Sequence, residues 1–115
     1  MQKLLIIVPV FNEEGSISNL IGELQNIIKK PPSGFLFDFV IVNDASTDKT
    51  ECILGEISCN QIHLPTNLGI GGAVQTGYKY AKLLNYDFAL QIDGDGQHCV
   101  QEIERLIKHI KITFE

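Results

Sequence analysis

Basic residues are the minority in this chain: nine lysines and arginines stand against fourteen aspartates and glutamates, for a net charge of -5. That balance excludes any general electrostatic attraction to nucleic acid or to anionic lipid. Long apolar runs are also missing. No stretch approaches the roughly 20 residues needed to span a bilayer, and LLIIVPV at 4–10 lacks the length and the cleavage site of a signal peptide. Cysteine is scarce and odd in number. Cys52, Cys59 and Cys99 show none of the close pairings of a zinc or redox site. Their flanks suggest one helical, one loop and one helix-start thiol, idle in a reducing compartment. Internal repeats, low-complexity segments and interdomain linkers are absent too, and the expectation is a cytoplasmic protein.

What is present suits one globular domain. The 115 residues are 44% hydrophobic and 20% charged, enough for a real core and too few for two domains. Four short apolar runs, at 4–9, 38–43, 61–64 and 87–92, alternate with amphipathic segments. The first, second and fourth are nearly continuous in apolar residues, as strands covered on both faces should be. Helices are expected at about 14–29, from near 47 or 48 with Ser46 or Thr47 as cap, at about 70–84 and at about 100–112. The first carries its apolar stripe on Ile17, Leu20, Ile21, Leu24, Ile27 and Ile28, and PPSG at 31–34 ends it. The second uses Ile53, Leu54 and Ile57, and the fourth sets Ile103, Leu106, Ile107 and Ile110 opposite a solvated charged face. The fold class that follows is α/β, a Rossmann-like three-layer α/β/α arrangement with a mostly parallel sheet. Crossovers between parallel strands put the strand C-termini on one edge, where such sheets bind ligands.

The unusual polar residues all fall at that edge. After the first strand, PVFNEE at 9–14 takes Pro9 and Val10 out of the sheet and leads Glu13 and Glu14 into a first helical turn, where the macrodipole favours acids. Phe11 is an aromatic ring at a strand end, suited either to stacking on a base or to packing on the helix start. The second strand ends in VNDASTDKT at 42–50. There Asp44 is placed to accept hydrogen bonds from a ligand or to cap, and Asp48 suits a turn or helix cap. NLGIGGAVQTG at 67–77 is not a Walker sequence, since no Gly-Lys-Ser or Gly-Lys-Thr follows, and it is out of place for a dinucleotide fingerprint. Its glycines fit a tight strand-to-helix turn, with Gly72 and Ala73 allowing close packing of the helix on the sheet.

The fourth run ends in IDGDGQH at 92–98. Asp93 and Asp95 place two hard anionic oxygens at the end of a strand, where Mg²⁺ or Mn²⁺ would find one or two carboxylates and keep its other positions for water and phosphate oxygens. Gly94 and Gly96 let the loop approach a ligand, and Gln97 and His98 add polar side chains at the same rim. Alone, an Asp-x-Asp with glycines is equally ordinary turn chemistry.

In this order, PVFNEE, VNDASTD, NLGIGGAVQTG and DGDGQH resemble the family-two glycosyltransferases of the GT-A fold, and within them the polyprenyl-phosphate sugar transferases. The resemblance implies a metal-dependent, inverting transferase with a nucleotide-diphosphate-sugar donor, acting on polyprenyl phosphate or a cell-surface glycan. By this resemblance Pro9, Phe11 and Glu13 line the base and ribose pocket, with Val42 and Asp44 beside the base. Asp93, Gly94 and Asp95 face the ribose and diphosphate, Asp95 being the direct metal ligand and Asp93 a ribose or water-mediated contact, with Gln97 close to the donor. The chain departs from many relatives in having Cys99 and Val100 where Asp-Pro would open the next helix. Family catalytic domains are longer, so the expectation is a donor-binding domain over 1–115 with the acceptor half and the general base beyond Glu115. The full-length protein would work at the cytoplasmic face of a membrane, and a homo-oligomer is compatible with the sequence. A binding module that holds a nucleotide sugar without transferring it is the alternative. A phosphate-responsive receiver domain fits poorly, because its paired acids, phosphoacceptor and later lysine are not supplied.

Overall fold

The computed structural model describes residues 1–93 and Arg105. Its elements are β1 (Gln2–Val10), α1 (Ile17–Lys29), β2 (Phe35–Asn43), α2 (Thr50–Gly55), β3 (Gln61–His63), α3 (Gly69–Leu83) and β4 (Phe88–Gln91). Of the expected fourth helix only Arg105 is among the described residues, helical and exposed. The four strands form one parallel sheet in the order β3-β2-β1-β4. The α/β class with a parallel sheet and flanking helices is therefore as the alternation of runs required.

Strand alternation divides the core in two. Leu4, Ile6, Val8 and Val10 of β1 join Phe35, Phe37, Phe39 and Ile41 of β2 beneath α1 and α2, whose Ile17, Leu20, Ile21, Leu24 and Leu54 are buried there. On the other face Leu5, Ile7, Val40 and Val42 pack against Ala73 and Ala81 of α3. The first face takes large helix side chains and the second small ones, so α3 lies closest to the sheet. Tyr86, after α3, ties that layer to β2 by donating from its hydroxyl to Asp38 Oδ2 at 2.7 Å. Burial and then the adjoining Asp38 carboxylate push this phenol well above its ordinary range.

Several local expectations are corrected. Pro9 and Val10 do not leave the sheet; they pair with Val42 and Asn43 as the last residues of β1. A proline fits because of where its missing N–H points. Asp44 N–H bonds Val10 O on the β2 side and Ile92 N–H bonds Ile7 O on the β4 side, so Pro9, like Ile7, faces β4 beyond its last paired residue. The β4 run is covered only in part: Phe88 and Leu90 pack on one face and Ala89 on the other, each half-buried, at an edge of the sheet as described. Glu13 and Glu14 precede α1, whose first turn holds no acid. Neither Ser46 nor Thr47 caps α2; the Thr50 N–H is held by Asp48 Oδ1 at 2.9 Å.

The close approach of α3 to the sheet also differs from expectation. Ala73 is fully buried against it, but the glycine that permits contact is Gly77, where an added Cβ would run into the side chain of Ile7. Gly72 instead makes room for Leu68, whose Cβ would lie 2.6 Å from a new Cβ. In helix propensity, alanine at 77 would gain about 1 kcal/mol over glycine. Ile7 is fully buried and cannot swing away, so overpacking should win. Gly77→Ala is expected to lower unfolding stability by about 1–3 kcal/mol, measured as a shift of the urea midpoint at unchanged slope; an unchanged midpoint would mean that α3 can ride up on the sheet freely.

Candidate functional site

The strand order reverses between β1 and β4, and a cleft of about 330 Å³ opens there at the strand C-termini. Pro9, Val10, Phe11 and Glu13 line it from the end of β1, Asp44 from β2, Ile70 from the first turn of α3 and Asp93 from the end of β4. Pro9, Phe11, Glu13, Asp44 and Asp93, all singled out from the sequence, are thus brought to one place. Val42 is not among them. It is fully buried beneath α3, pairs with both Pro9 and Ile62, and presents no side-chain surface to a ligand beside the base. Gly94, Asp95 and Gln97, with Gly96 and His98, lie outside the described residues, as does Cys99.

The wall formed by the β1 and β2 ends is built by hydrogen bonds between their two loops. Asn12 adopts a left-handed backbone (φ 54°), which turns the chain after Phe11, and its N–H donates to Ser46 Oγ at 3.0 Å. Its side-chain Oδ1 accepts from the N–H groups of Thr47 at 2.7 Å and Asp48 at 3.2 Å. Glu13 N–H donates to Thr50 Oγ1 at 2.9 Å, and Glu14 N–H to Asp48 Oδ2 at 3.2 Å. Ser46, Thr47 and Thr50 therefore serve the neighbouring loop. Ala45 shares the left-handed conformation (φ 58°), unusual for a residue with a Cβ and typical of chain held by its surroundings near a site. Asn12, not singled out from the sequence, is the hub of this network. Its signal was available: short polar residues follow two adjacent parallel strands at the same level, where each can satisfy the other's free amides.

Asp44 is a buried acid whose backbone and carboxylate both have structural work. Its N–H bonds Val10 O at 2.9 Å and its carbonyl accepts from Asn67 Nδ2 at 3.1 Å. Its Oδ1 accepts the Leu68 N–H at 2.7 Å, which leaves Oδ2 outside these bonds in a residue that lines the cleft. Hydrogen bonds from Ser46 and to His63 fix Asn43. Gln61 Nε2 donates to the Leu54 and Ile57 carbonyls, so its Oε1 is the acceptor for His63 Nε2 at 2.8 Å. Asn43 Oδ1 accepts from Ser46 N–H, so its Nδ2 donates to His63 Nδ1 at 3.0 Å. In this pattern His63 donates from Nε2 and accepts at Nδ1.

Glu13, Asp44 and Asp93 make the cleft acidic, while Phe11 and Ile70 make part of its lining apolar. Asp93 is exposed there and offers the hard oxygen that Mg²⁺ or Mn²⁺ prefers. Among the described residues no three His, Cys, Asp or Glu side chains cluster closely enough to cage a metal by themselves. A cation here would depend on ligand oxygens as well, which is the ordinary habit of Mg²⁺. Also among the described residues, no helix is long and apolar enough to cross a membrane.

Comparison with known proteins agrees with this fold. The family model described as Glycosyl transferase family 2 matches residues 5–113. An uncharacterized protein of Methanocaldococcus jannaschii is 37% identical over 111 residues, covering 94% of this chain and 42% of its own length. The UDP-N-acetylglucosamine–dolichyl-phosphate N-acetylglucosaminyltransferase of Methanococcus voltae is 32% identical, with 91% of this chain and 46% of the relative covered. Among solved structures, residues 1–349 of S. aureus TarS in complex with UDP-GlcNAc superpose with a TM-score of 0.66 at 27% identity, over 94% of this chain and 32% of that one. The chain thus spans less than half the length of these relatives.

The loop network titrates through Asp48. Burial pushes its carboxyl up, but the hydrogen bonds from the Thr50 hydroxyl, the Thr50 amide and the Glu14 amide outweigh this and hold it below the ordinary 3.8. A lowered carboxylate contributes stability that is complete above its unfolded value and is lost as pH falls through the folded one. Acid unfolding of the native chain should therefore include a component below about pH 4 that Asp48→Asn removes, measured by circular dichroism from pH 6 to 2. Identical acid limbs in the two proteins would show that these bonds do not distinguish the charged form.

Proposed function

This chain belongs to glycosyl transferase family 2, and on that premise we propose that its cleft holds a nucleotide-diphosphate sugar whose sugar is passed to a polyprenyl phosphate. The observation that carries this reading is the meeting of Phe11, Glu13, Asp44 and Asp93 from three strand ends at the switch point of a parallel sheet. The relatives support the chemistry: one is named for transfer from UDP-N-acetylglucosamine to dolichyl phosphate, another is an undecaprenyl-phosphate mannosyltransferase of Micrococcus luteus, and TarS has been captured with UDP-GlcNAc.

In this reading each part of the donor meets suitable chemistry. The base lies against the Phe11 ring, which offers a flat apolar face. Asp44 Oδ2 accepts from a base or ribose donor, and it is preoriented because Oδ1 is already held by Leu68 N–H. Glu13 takes a ribose hydroxyl from the other side of the cleft. Its backbone is anchored by Thr50 and its Oε2 accepts from Ser16 Oγ at 3.1 Å, so the carboxylate needs little reorganisation. The diphosphate lies toward Asp93 and Asp95, an arrangement that requires a cation between like charges. Mg²⁺ or Mn²⁺ held by these two aspartates would neutralise the charge that develops on the departing diphosphate. Transfer is inverting in this scheme, with the acceptor approaching the sugar from the face away from the diphosphate; none of the 115 residues is assigned as the general base. The polyprenyl acceptor places the reaction at the cytoplasmic face of a membrane.

Calorimetric titration of UDP, GDP and their sugars, with and without Mn²⁺, tests the donor site. Mn²⁺ should tighten binding, and Asp95→Ala should abolish that gain while leaving the metal-free affinity nearly unchanged. Asp44→Asn keeps an acceptor for Leu68 N–H but removes the charge, and should weaken binding by about tenfold or more. If no nucleotide binds, the donor-site reading fails; if binding ignores both Mn²⁺ and Asp95, the metal assignment fails alone.

A further inference from the structure

Among the described cleft residues Ile70, inside the glycine-rich NLGIGGAVQTG segment, is given no ligand role by that motif, and its surroundings point to a use. It is an isoleucine 62% exposed, in the first turn of a helix whose other apolar contacts face the sheet. The residues beside it are small. Gly69 turns the chain at φ 81°, Gly71 has open space at its Cβ position, and the bare Gly72 accommodates Leu68. Ile70 is therefore the side chain that projects from this turn into the cleft.

The turn is also fixed. Leu68 N–H and Asn67 Nδ2 are bound to Asp44, and Gly69 N–H is held by Asn67 Oδ1 at 3.2 Å. An acid of the cleft thus holds the segment that carries Ile70. Phe11, 45% exposed, reaches the same cleft from the segment leading to α1, whereas Ile70 comes from α3 on the opposite face of the sheet. Among the described residues, every ionisable side chain lining the space between them is acidic. Of a nucleotide sugar, only the planar base suits an apolar pair, since ribose and sugar are hydroxylated and the diphosphate is anionic.

We propose that Ile70 is the second wall of the base slot, so that the base is held between Phe11 and Ile70 with its edge toward Asp44. This rests on the donor-site reading and assigns a residue to it. Ile70 contributes contact area and excludes water; it takes no part in the chemistry, and it acts on the base moiety only.

The test titrates UDP, GDP and inorganic pyrophosphate, each with Mn²⁺, into the unaltered chain, Ile70→Ala and Ile70→Met. Truncation should weaken the better-bound nucleotide by about five- to tenfold through lost apolar contact, and should leave pyrophosphate, which has no base, unchanged. Ile70→Met should retain most of the nucleotide affinity. Nucleotide affinity unaffected by Ile70→Ala would overturn the proposal, and so would equal losses for nucleotide and pyrophosphate, which would mark a general effect on the turn. Failure of the unaltered chain to bind either nucleotide would overturn the donor-site reading, and this proposal with it.

Discussion

Nine residues of β1 run in unbroken parallel register with β2, from Gln2 opposite Phe35 to Val10 opposite Asn43, and the site depends on that pairing. Because the strands end at the same level, the loops that follow leave side by side. Each has amide groups that no strand or helix satisfies, and each meets the polar side chains of the other. A slip of one residue would turn every core side chain to the wrong face, so burial of Leu4 through Val10 is also what aligns Asn12 with Thr47 and Glu13 with Thr50.

The buried polar residues near the cleft follow one pattern. Asn43, Asp44 and Thr50 are each nearly or wholly enclosed, and among the described residues no buried side-chain nitrogen or oxygen lacks a partner. Completed in this way, such a network rigidifies its surroundings, whereas a half-completed one would cost more than an apolar core. Asp44 shows the benefit most directly: by accepting the Leu68 amide it holds the turn before α3 and fixes its own orientation in the cleft.

Much of this was legible in the sequence. The apolar runs located all four strands, and the stripe from Ile17 to Leu24 marked the buried face of α1. Placing PVFNEE, VNDASTD and IDGDGQH at strand ends was enough to gather Phe11, Glu13, Asp44 and Asp93. What could not be read was which neighbour each short polar side chain would serve. Ser46 and Thr47 have the chemistry of helix caps, and only the lateral position of the β1 loop diverts them to Asn12. Gly77 is not legible as a contact because one glycine in a helix carries no mark of what lies beneath it, unlike the crowded glycines at 69, 71 and 72. Val42 shares its strand face with Asp44, but it lies one step inside β2, where α3 covers it, whereas Asp44 stands just past the strand end. Ile70 had no signal as a single apolar residue in a glycine-rich turn.

Pro9 fits its strand because the bond it cannot make lies past the end of β4. That same missing bond has an effect on the other chain. Ile7 opposite Gln91 sets the register, so two places further on Pro9 would stand opposite Asp93. In that register an N–H at position 9 would face the Ile92 carbonyl, and proline has none to offer. With proline there, β1 continues to Val10 on the β2 side, while its pairing with β4 ends at Ile7 opposite Gln91. The pyrrolidine ring stands at a fork: β1 stays paired with β2 through Val10, while its ladder with β4 stops at Ile7, and Glu13 and Asp93 line the cleft that opens beyond.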